Sequence, residues 1–388
     1  MSSLVTLTNT WNTIKEVDLR PLRDQALHGV RIAIISESAA ARAALASQLR
    51  RDPYHPNTEA ETPVLVAGLE ATELASSADL IVLIIDAQKA DVEQERKTAL
   101  DYSDRGKKVF VLVDYSNYPE GEQAVIPSSG AKNRQVLHGS VTDTEFLQNQ
   151  FAPAIIQLIP DHLVPLGRDF PLFRVPIARF MISDTCFSNA AFSLSTGLAE
   201  LVPVLNLPLV IADTIVLTKN QLYLVYKLGL VLGYSLEWQD YTREFGSVLG
   251  AGFFWRQVAR SLVGLVPLWG IVPKVAISYA GTYVVGNVVL QWYLTGRHVT
   301  RQQMSELYQR AYQRGIQAAQ TLRHKLPRGK KVPENLQLAS PQPKPRSRRV
   351  KSQTCPDCHR QSAGDATFCQ YCGHSFQAEA KALSPNEE

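Results

Sequence analysis

Cysteine is scarce in this chain: 388 residues hold five, and four of those fall between positions 355 and 372. That usage excludes a disulfide-stapled scaffold and suits a reducing compartment. The first residues, "MSSLVTLTNTWNTIKEVDLRPLRD", have no apolar core behind a basic start, so no secretory signal is expected. Basic charge is thin outside one segment. The net charge is +4, yet residues 323–351 carry ten Lys and Arg against the single acid Glu334, which leaves the rest of the chain net negative. Long stretches have almost no charge at all, and "VAISYAGTYVVGNVVLQWYLTG" (275–296) has none.

Glycine is absent where phosphate chemistry wants it. "RIAIISESAAARAAL" (31–45) is an apolar strand, a small-residue turn and a helical run, the layout of a G-x-x-x-x-G-K-[ST] loop. The matching positions are Ser36, Ala41, Arg42 and Ala43. A Cβ at Ser36 and Ala41 opposes the left-handed turns that aim backbone N–H groups at a phosphate. Ala43 has no hydroxyl for a metal, and Arg42 does not replace a Lys in a tight site. Only the anion-attracting helix N-terminus survives. The strand-turn-helix is therefore expected to be structural, with no ligand.

Downstream, apolar strands alternate with helices. "RIAII", "TPVLVAGL" (62–69), "DLIVLIIDA" (79–87), "KKVFVLVDY" and "VLHGS" (136–140) read as strands, the last as an edge. "AAARAALASQLRR", "DVEQERKTALDYSDRG" (91–106) and "TDTEFLQNQFAPAIIQLIP" read as helices. The expected fold class is α/β, a doubly wound P-loop-like sheet, followed by an all-α domain and a small zinc ribbon. The boundaries are an N-terminal extension (1–27), the sheet domain (28–160), a helical domain (161–325), a basic Pro-rich linker (326–352) and the ribbon (353–378).

On these residues the first domain resembles the Era-like GTPase family. "ADLIVLIIDA" sits at the family's buried strand after the switch region, "GKKVFVLVDYSN" at the N-K-x-D strand, and "GSVTD" near the S-A-K position. The N-K-x-D motif is replaced by Asp114, Tyr115, Ser116 and Asn117, and no D-x-x-G precedes Asp79. The resemblance implies the fold and argues against the activity: GTP is not expected, and catalytic residues are none. Asp86 and Asp114, at strand ends, read as turn or cap residues before metal ligands.

Residues 161–325 are apolar and helical. "LPLVIADTIVLTKNQLYLVYKLGLVLGY" (207–234), then "GLVPLWGIVPKVAISYAGTYVVGNVVLQWYLTGR" (264–297), resembles the uncharacterised helical domain that follows such GTPase domains in bacteria, with Asp213, Asn220, Gln221, Pro267, Gly270 and Pro273 at its marked positions. Some members of that family are membrane proteins. The charge-free run is long enough to span a bilayer, and Gly281 and Gly286 would allow close packing there. Ser278, Thr282, Asn287 and Gln291 weaken that span, and a buried hairpin is the alternative. Association with the cytoplasmic face of a membrane, integral or not, is expected, with the cytoplasm as the alternative. Asp213 reads as a helix N-cap, Cys186 as a small core residue, and Trp238, Trp255 and Trp269 as core or interface aromatics. The helix over 301–325 puts Met304, Leu307, Tyr308 and Ala311 on one face, suited to a membrane surface or to an ordinary solvated helix.

The tail "CPDCHRQSAGDATFCQYCGHSF" carries Cys355, Cys358, Cys369 and Cys372 as two C-x-x-C pairs separated by ten residues. Four thiolates at that spacing make a closed tetrahedral site for structural Zn²⁺. The tail resembles the short zinc-ribbon family, with Gly373 allowing the turn after the second pair and His359 and His374 as alternative ligands. A closed shell has no open position for catalysis, so the tethered ribbon is expected to recognise a protein partner. The charge of the basic linker would allow non-specific phosphate contact, so nucleic acid stays open as a partner, but no motif supports it and a solvated tether is the default. The chain thus reads as a non-catalytic scaffold or adaptor with a pseudo-GTPase sheet. The alternative is a divergent nucleotide-binding protein or weak GTPase using Arg42 and the helix N-terminus.

Metal analysis of the purified full chain is expected to find about one zinc per molecule, the content of a single four-thiolate site. The double variant Cys355→Ser, Cys372→Ser should lose it, and zinc retained at full occupancy by that variant would reject the four-cysteine assignment.

Overall fold

The computed structural model describes residues 18–70, 76–116, 133–199, 206–241, 271–297, 299–325, 352–354, 356, 359 and 361–363. Cys355, Cys358, Cys369, Cys372, Asn117, Pro267, Gly270, Trp255, Trp269 and linker residues 326–351 lie outside the described residues. Two compact units are present, residues 1–327 and 328–388.

In the first unit, α1 (Arg20–Leu27), β1 (Ile32–Ile35), α2 (Ala39–Arg50), β2 (Arg51–Asp52), β3 (His55–Glu59), β4 (Val64–Ala67), β5 (Leu80–Asp86), α3 (Glu93–Asp104), β6 (Lys108–Asp114) and β7 (Arg134–Gly139) follow in order. Five strands form one sheet, β4-β1-β5-β6-β7. Every pairing is parallel, with Ile32 opposite Val64 and Leu80, and Asp86 opposite Asp114. Numbered within the sheet the order is 2-1-3-4-5, a doubly wound arrangement whose direction of winding reverses between β1 and β5. Both faces are covered, which is why the strands read as unbroken apolar runs. The pleat sends Ile32, Ile34, Leu80, Val82, Ile84, Phe110 and Leu112 to one face, with Leu45 and Leu49 of α2. Ala33, Ile35, Ile81, Leu83, Ile85, Val109 and Val111 take the other, with Ala99 and Tyr102 of α3.

The helix expected over 39–51 ends one residue early. Arg51 and Asp52 instead pair antiparallel with β3 as a separate two-stranded ribbon. Asp52 Oδ1 accepts the Tyr54 N–H at 2.9 Å, an Asx turn that competes with helix continuation. β7 is the edge strand, as expected. Gly139 there is required, because a Cβ would lie 2.1 Å from the Phe146 ring.

After β7 come α4 (Thr144–Phe146), a π-helical turn (Leu147–Phe151), α5 (Ala152–Leu158), α6 (Leu163–Asp169), α7 (Pro171–Ala199), α8 (Asn206–Val231), α9 (Ile271–Thr295) and α10 (Arg301–Lys325). A row of buried rings joins sheet to helices. Phe110 meets Phe151 edge-on at 5.1 Å, Phe151 lies 6.1 Å from Phe173, and Phe173 meets Phe170 at 6.3 Å. One hydrophobic cluster therefore runs from the strands into the bundle. Polar ties reinforce it: Arg174 Nη1 lies 3.2 Å from Asp52 Oδ2, and Asp169 Oδ2 accepts the Val30 N–H at 3.1 Å. Burial pushes the Asp169 carboxyl above its ordinary value.

The charge-free run forms α9, the inner helix of the bundle, packed against α7, α8 and α10. Its buried polar residues, Ser278 and Thr282, bond to α7. Asn189 Nδ2 donates to Thr282 Oγ1 at 2.8 Å, Asn220 Nδ2 donates to Asn189 Oδ1 at 2.6 Å, and Ser278 Oγ donates to the Asn189 carbonyl at 3.1 Å. These bonds satisfy buried amides and hydroxyls across three helices. No helix among the described residues is long and apolar enough to cross a membrane. The apolar face of α10 is the one read from the sequence, and it continues through Ala311, Gly315, Ala318 and Ala319 against the bundle.

Two expectations are corrected. Asp213 is not an N-cap, because α8 starts at Asn206. Pro208 falls in the first turn, where no amide donor is needed, so the preceding apolar residues join the helix. Gly281 makes no close packing, with nothing within 4 Å of its Cβ direction, whereas Gly286 faces Ile182. Cys186 is buried as expected, and burial pushes its thiol up to about 12.

In the second unit, β8 (Ser352–Thr354) pairs antiparallel with β9 (Gln361–Ala363). Their connection spans the first C-x-x-C, and His359 within it has a left-handed φ of 56°.

Gly315→Ala should destabilise the chain by about 1–3 kcal/mol, since the added Cβ overpacks a helix crossing and would lie 2.8 Å from Ala276 backbone atoms. Gly281→Ala should stabilise by about 0.5–1 kcal/mol through helix propensity alone. Urea unfolding midpoints check both, and equal shifts would contradict the packing of α10 on α9.

Candidate functional site

The end of β1 leads straight into α2 through three residues, Ser36, Glu37 and Ser38. A phosphate loop needs four residues between its glycines, but here Ala39 and Ala40 are already helical and leave no span to wrap an anion. Ser38 is the N-cap, its Oγ accepting from the Ala41 N–H at 3.2 Å. The Ser38 N–H in turn donates to Ser36 Oγ at 3.2 Å. Two amides of the turn are thus turned onto its own hydroxyls. Among the described residues no non-glycine position of the sheet domain has positive φ.

Arg42 folds back over this turn. Its Nη1 donates to the Ser36 carbonyl and, at 3.2 Å, to the Glu37 carbonyl. The turn therefore offers carbonyl oxygens to its own guanidinium, the reverse of the polarity that holds a phosphate. Ala43 is exposed. The four loop positions are brought together, and what they build is a closed cap on a helix.

Beside the turn, at the point where the winding reverses, lies a cleft of about 380 Å³ lined by Ser36, Glu37, Ser38, Asp86, Lys89 and Glu95. Sheets of this kind bind ligands at that position. Lys89 Nζ bridges Glu37 Oε2 at 2.8 Å and Glu95 Oε1 at 2.5 Å, and these two bonds raise the lysine pKa above its ordinary value. Glu95 is buried, and its Oε2 has no hydrogen-bond partner. Sequence reasoning missed Glu37, Lys89 and Glu95. The signal for Glu95 was there: it lies on the stripe of α3 that carries Ala99 and Tyr102 onto the sheet, where a carboxylate breaks the apolar pattern.

Asp86 and Asp114 behave as turn residues. Asp86 Oδ1 accepts the Gln88 N–H at 2.9 Å. Asp114 Oδ1 accepts from the Ser116 N–H at 3.0 Å, the Ser116 hydroxyl at 2.5 Å and the Val141 N–H at 3.1 Å. A hydroxyl chain continues from Ser116 to Ser140 and Thr142, each step 2.9 Å. The Asp114 carboxylate is thus taken up by its own turn. Among the described residues no group of three or more His, Cys, Asp or Glu side chains is arranged for a metal ion.

A second cleft of about 260 Å³ lies between the β2–β3 ribbon and the bundle, lined by Asp52, His55, Arg174, Tyr234 and Tyr293 among others. His55 Nδ1 lies 3.3 Å from Asp52 Oδ2, the oxygen that Arg174 also holds. This is a junction of charges, with no Ser, Thr or Cys among its lining residues to serve as a nucleophile. No family model, curated protein or solved structure matches the chain.

Arg42→Ala should cost about 1.5–3 kcal/mol, because it strips a charged donor from the Ser36 and Glu37 carbonyls. Chemical denaturation measures this, and unchanged stability would show that the guanidinium does not hold the turn.

Proposed function

We propose that the chain is a non-catalytic scaffold or adaptor whose first domain is a GTPase-like sheet without nucleotide chemistry. The observation that carries this reading is the Arg42 cap. Its guanidinium takes the Ser36 and Glu37 carbonyls, while the Ser38 and Ala41 N–H groups are bonded to the Ser36 and Ser38 hydroxyls. The internal bonding of Asp114, at the first position of the replaced N-K-x-D motif, supports it too. The cluster of Glu37, Asp86 and Glu95 beside the turn repels phosphate.

The tail is the recognition module. Cys355, Cys358, Cys369 and Cys372 would hold one structural Zn²⁺, and the hairpin flanking the first pair is the backbone such a knuckle needs. On its linker the ribbon engages a protein partner. In this reading the scaffold sits at the cytoplasmic face of a membrane through its helical region. That placement rests on the charge-poor sequence of the helical region and on its resemblance to a domain with membrane-bound members.

Titration of the full chain with fluorescent GTP and ATP analogues in the presence of Mg²⁺ should give no saturable signal. Binding at micromolar concentrations that is lost in Arg42→Ala would favour the divergent nucleotide-binding protein instead. Fractionation of cells expressing the full chain, with salt and carbonate washes, tests the placement. Recovery with the membrane fraction is the expected result, the washes separating an integral from a surface attachment, and recovery wholly in the soluble fraction would remove the membrane from the reading.

A further inference from the structure

The cleft between β1 and β5 has a charge balance that the scaffold reading leaves unused. Glu37, Asp86 and Glu95 face it, and Lys89 is the lining cation. Such a surface selects a cation over a phosphate. The Glu95 side chain is only 3% exposed, so its unpartnered Oε2 is a buried acceptor with no donor. Lys89 pairs the charge through Oε1, but a buried carboxylate oxygen without a donor is still costly, and a ligand that donates N–H to it relieves that cost.

The volume argues for more than an ion. About 380 Å³ accommodates a chain of several heavy atoms. The carboxylates are not arranged as a metal cage among the described residues. Lys89 also demonstrates how the cleft holds a cation: one ammonium spans Glu37 and Glu95 with charge-assisted bonds of 2.8 and 2.5 Å. Lys89 is 27% exposed and Glu37 53%, so the pair sits at the mouth and Glu95 at the floor.

We propose that this cleft binds a small organic cation carrying primary ammonium groups. The incoming ammonium reaches Glu95 Oε2 as Lys89 swings toward Glu37, and a second ammonium on the same molecule lies against Asp86. This goes beyond the scaffold reading and does not depend on it, since nucleotide and amine are titrated separately and either result can fail alone.

Calorimetric titration of the full chain with putrescine and with spermidine tests it, with NaCl at matched ionic strength as the reference. Saturable binding at one molecule per chain is expected, roughly tenfold weaker in Glu95→Gln for the loss of a charge-assisted contact. Lys89→Met, which removes the internal competitor, should bind more tightly. Should Glu95→Gln fail to fold, Glu37→Gln at the exposed mouth must still weaken binding several-fold. No saturable heat with either amine overturns the proposal, as does unchanged affinity in Glu37→Gln and Glu95→Gln. Displacement of spermidine by stoichiometric MgCl₂ would reassign the cleft to a metal and overturn it as well.

Discussion

The row of rings from Phe110 through Phe151 and Phe173 to Phe170 fixes the rest of this unit. Each of these side chains is fully buried, and they come from three parts of the chain: Phe110 from β6, Phe151 from the π-helical turn, and Phe170 and Phe173 from the junction of α6 and α7. Aromatic contacts of this geometry add about 0.5–1.5 kcal/mol each beyond their buried area. They make one face of the sheet continuous with the helical bundle, so sheet and bundle share a core. The π turn has a geometric role here, because its extra residue per turn rotates Phe151 relative to the helices on either side.

The two sheet faces differ as a result. One is sealed by α2, the Phe151 region and the bundle. The other carries a smaller cluster under α3, and the cleft opens at the strand ends between α3 and the turn after β1. Helix α3 buries Glu95 as well as Ala99 and Tyr102, so a carboxylate is carried to the floor of that cleft. Lys89 then becomes necessary, since a buried carboxylate without a cation is unstable. The polarity of the site follows from this placement and from Arg42, whose guanidinium closes the neighbouring turn.

Within the bundle, small residues and hydroxyls take the place of charge. Gly315 lets α10 approach the backbone of α9 at Ala276, and Asn189, Asn220, Ser278 and Thr282 bond across the helix seams. Small residues, internal hydroxyls and no charge are the composition of an intramembrane helix and also of the inner helix of a soluble bundle. Hydropathy along one strand of sequence does not separate them, because both environments exclude water from the same face.

Read alone, the sequence determined the parallel sheet and most of its helices, because strands buried on both faces must be apolar throughout and glycine-poor loops cannot cradle phosphate. It also made plain that Ser36, Ala41, Arg42 and Ala43 lack the glycines, the lysine and the hydroxyl of such a loop, since the missing atoms are visible in the residue types themselves. The hairpin at Arg51–Glu59 was not legible, because Asp52 had to find both its turn and its partner Arg174, 122 positions away. Asp213 was misread for a related reason: the helix start depended on Pro208 being accepted in a first turn. The meeting of Glu37, Lys89 and Glu95 came from a loop, a strand end and a helix that only the sheet order brings together. Tertiary structure decided that cleft, because charge balance in a site is a property of neighbours in space and not of neighbours in sequence.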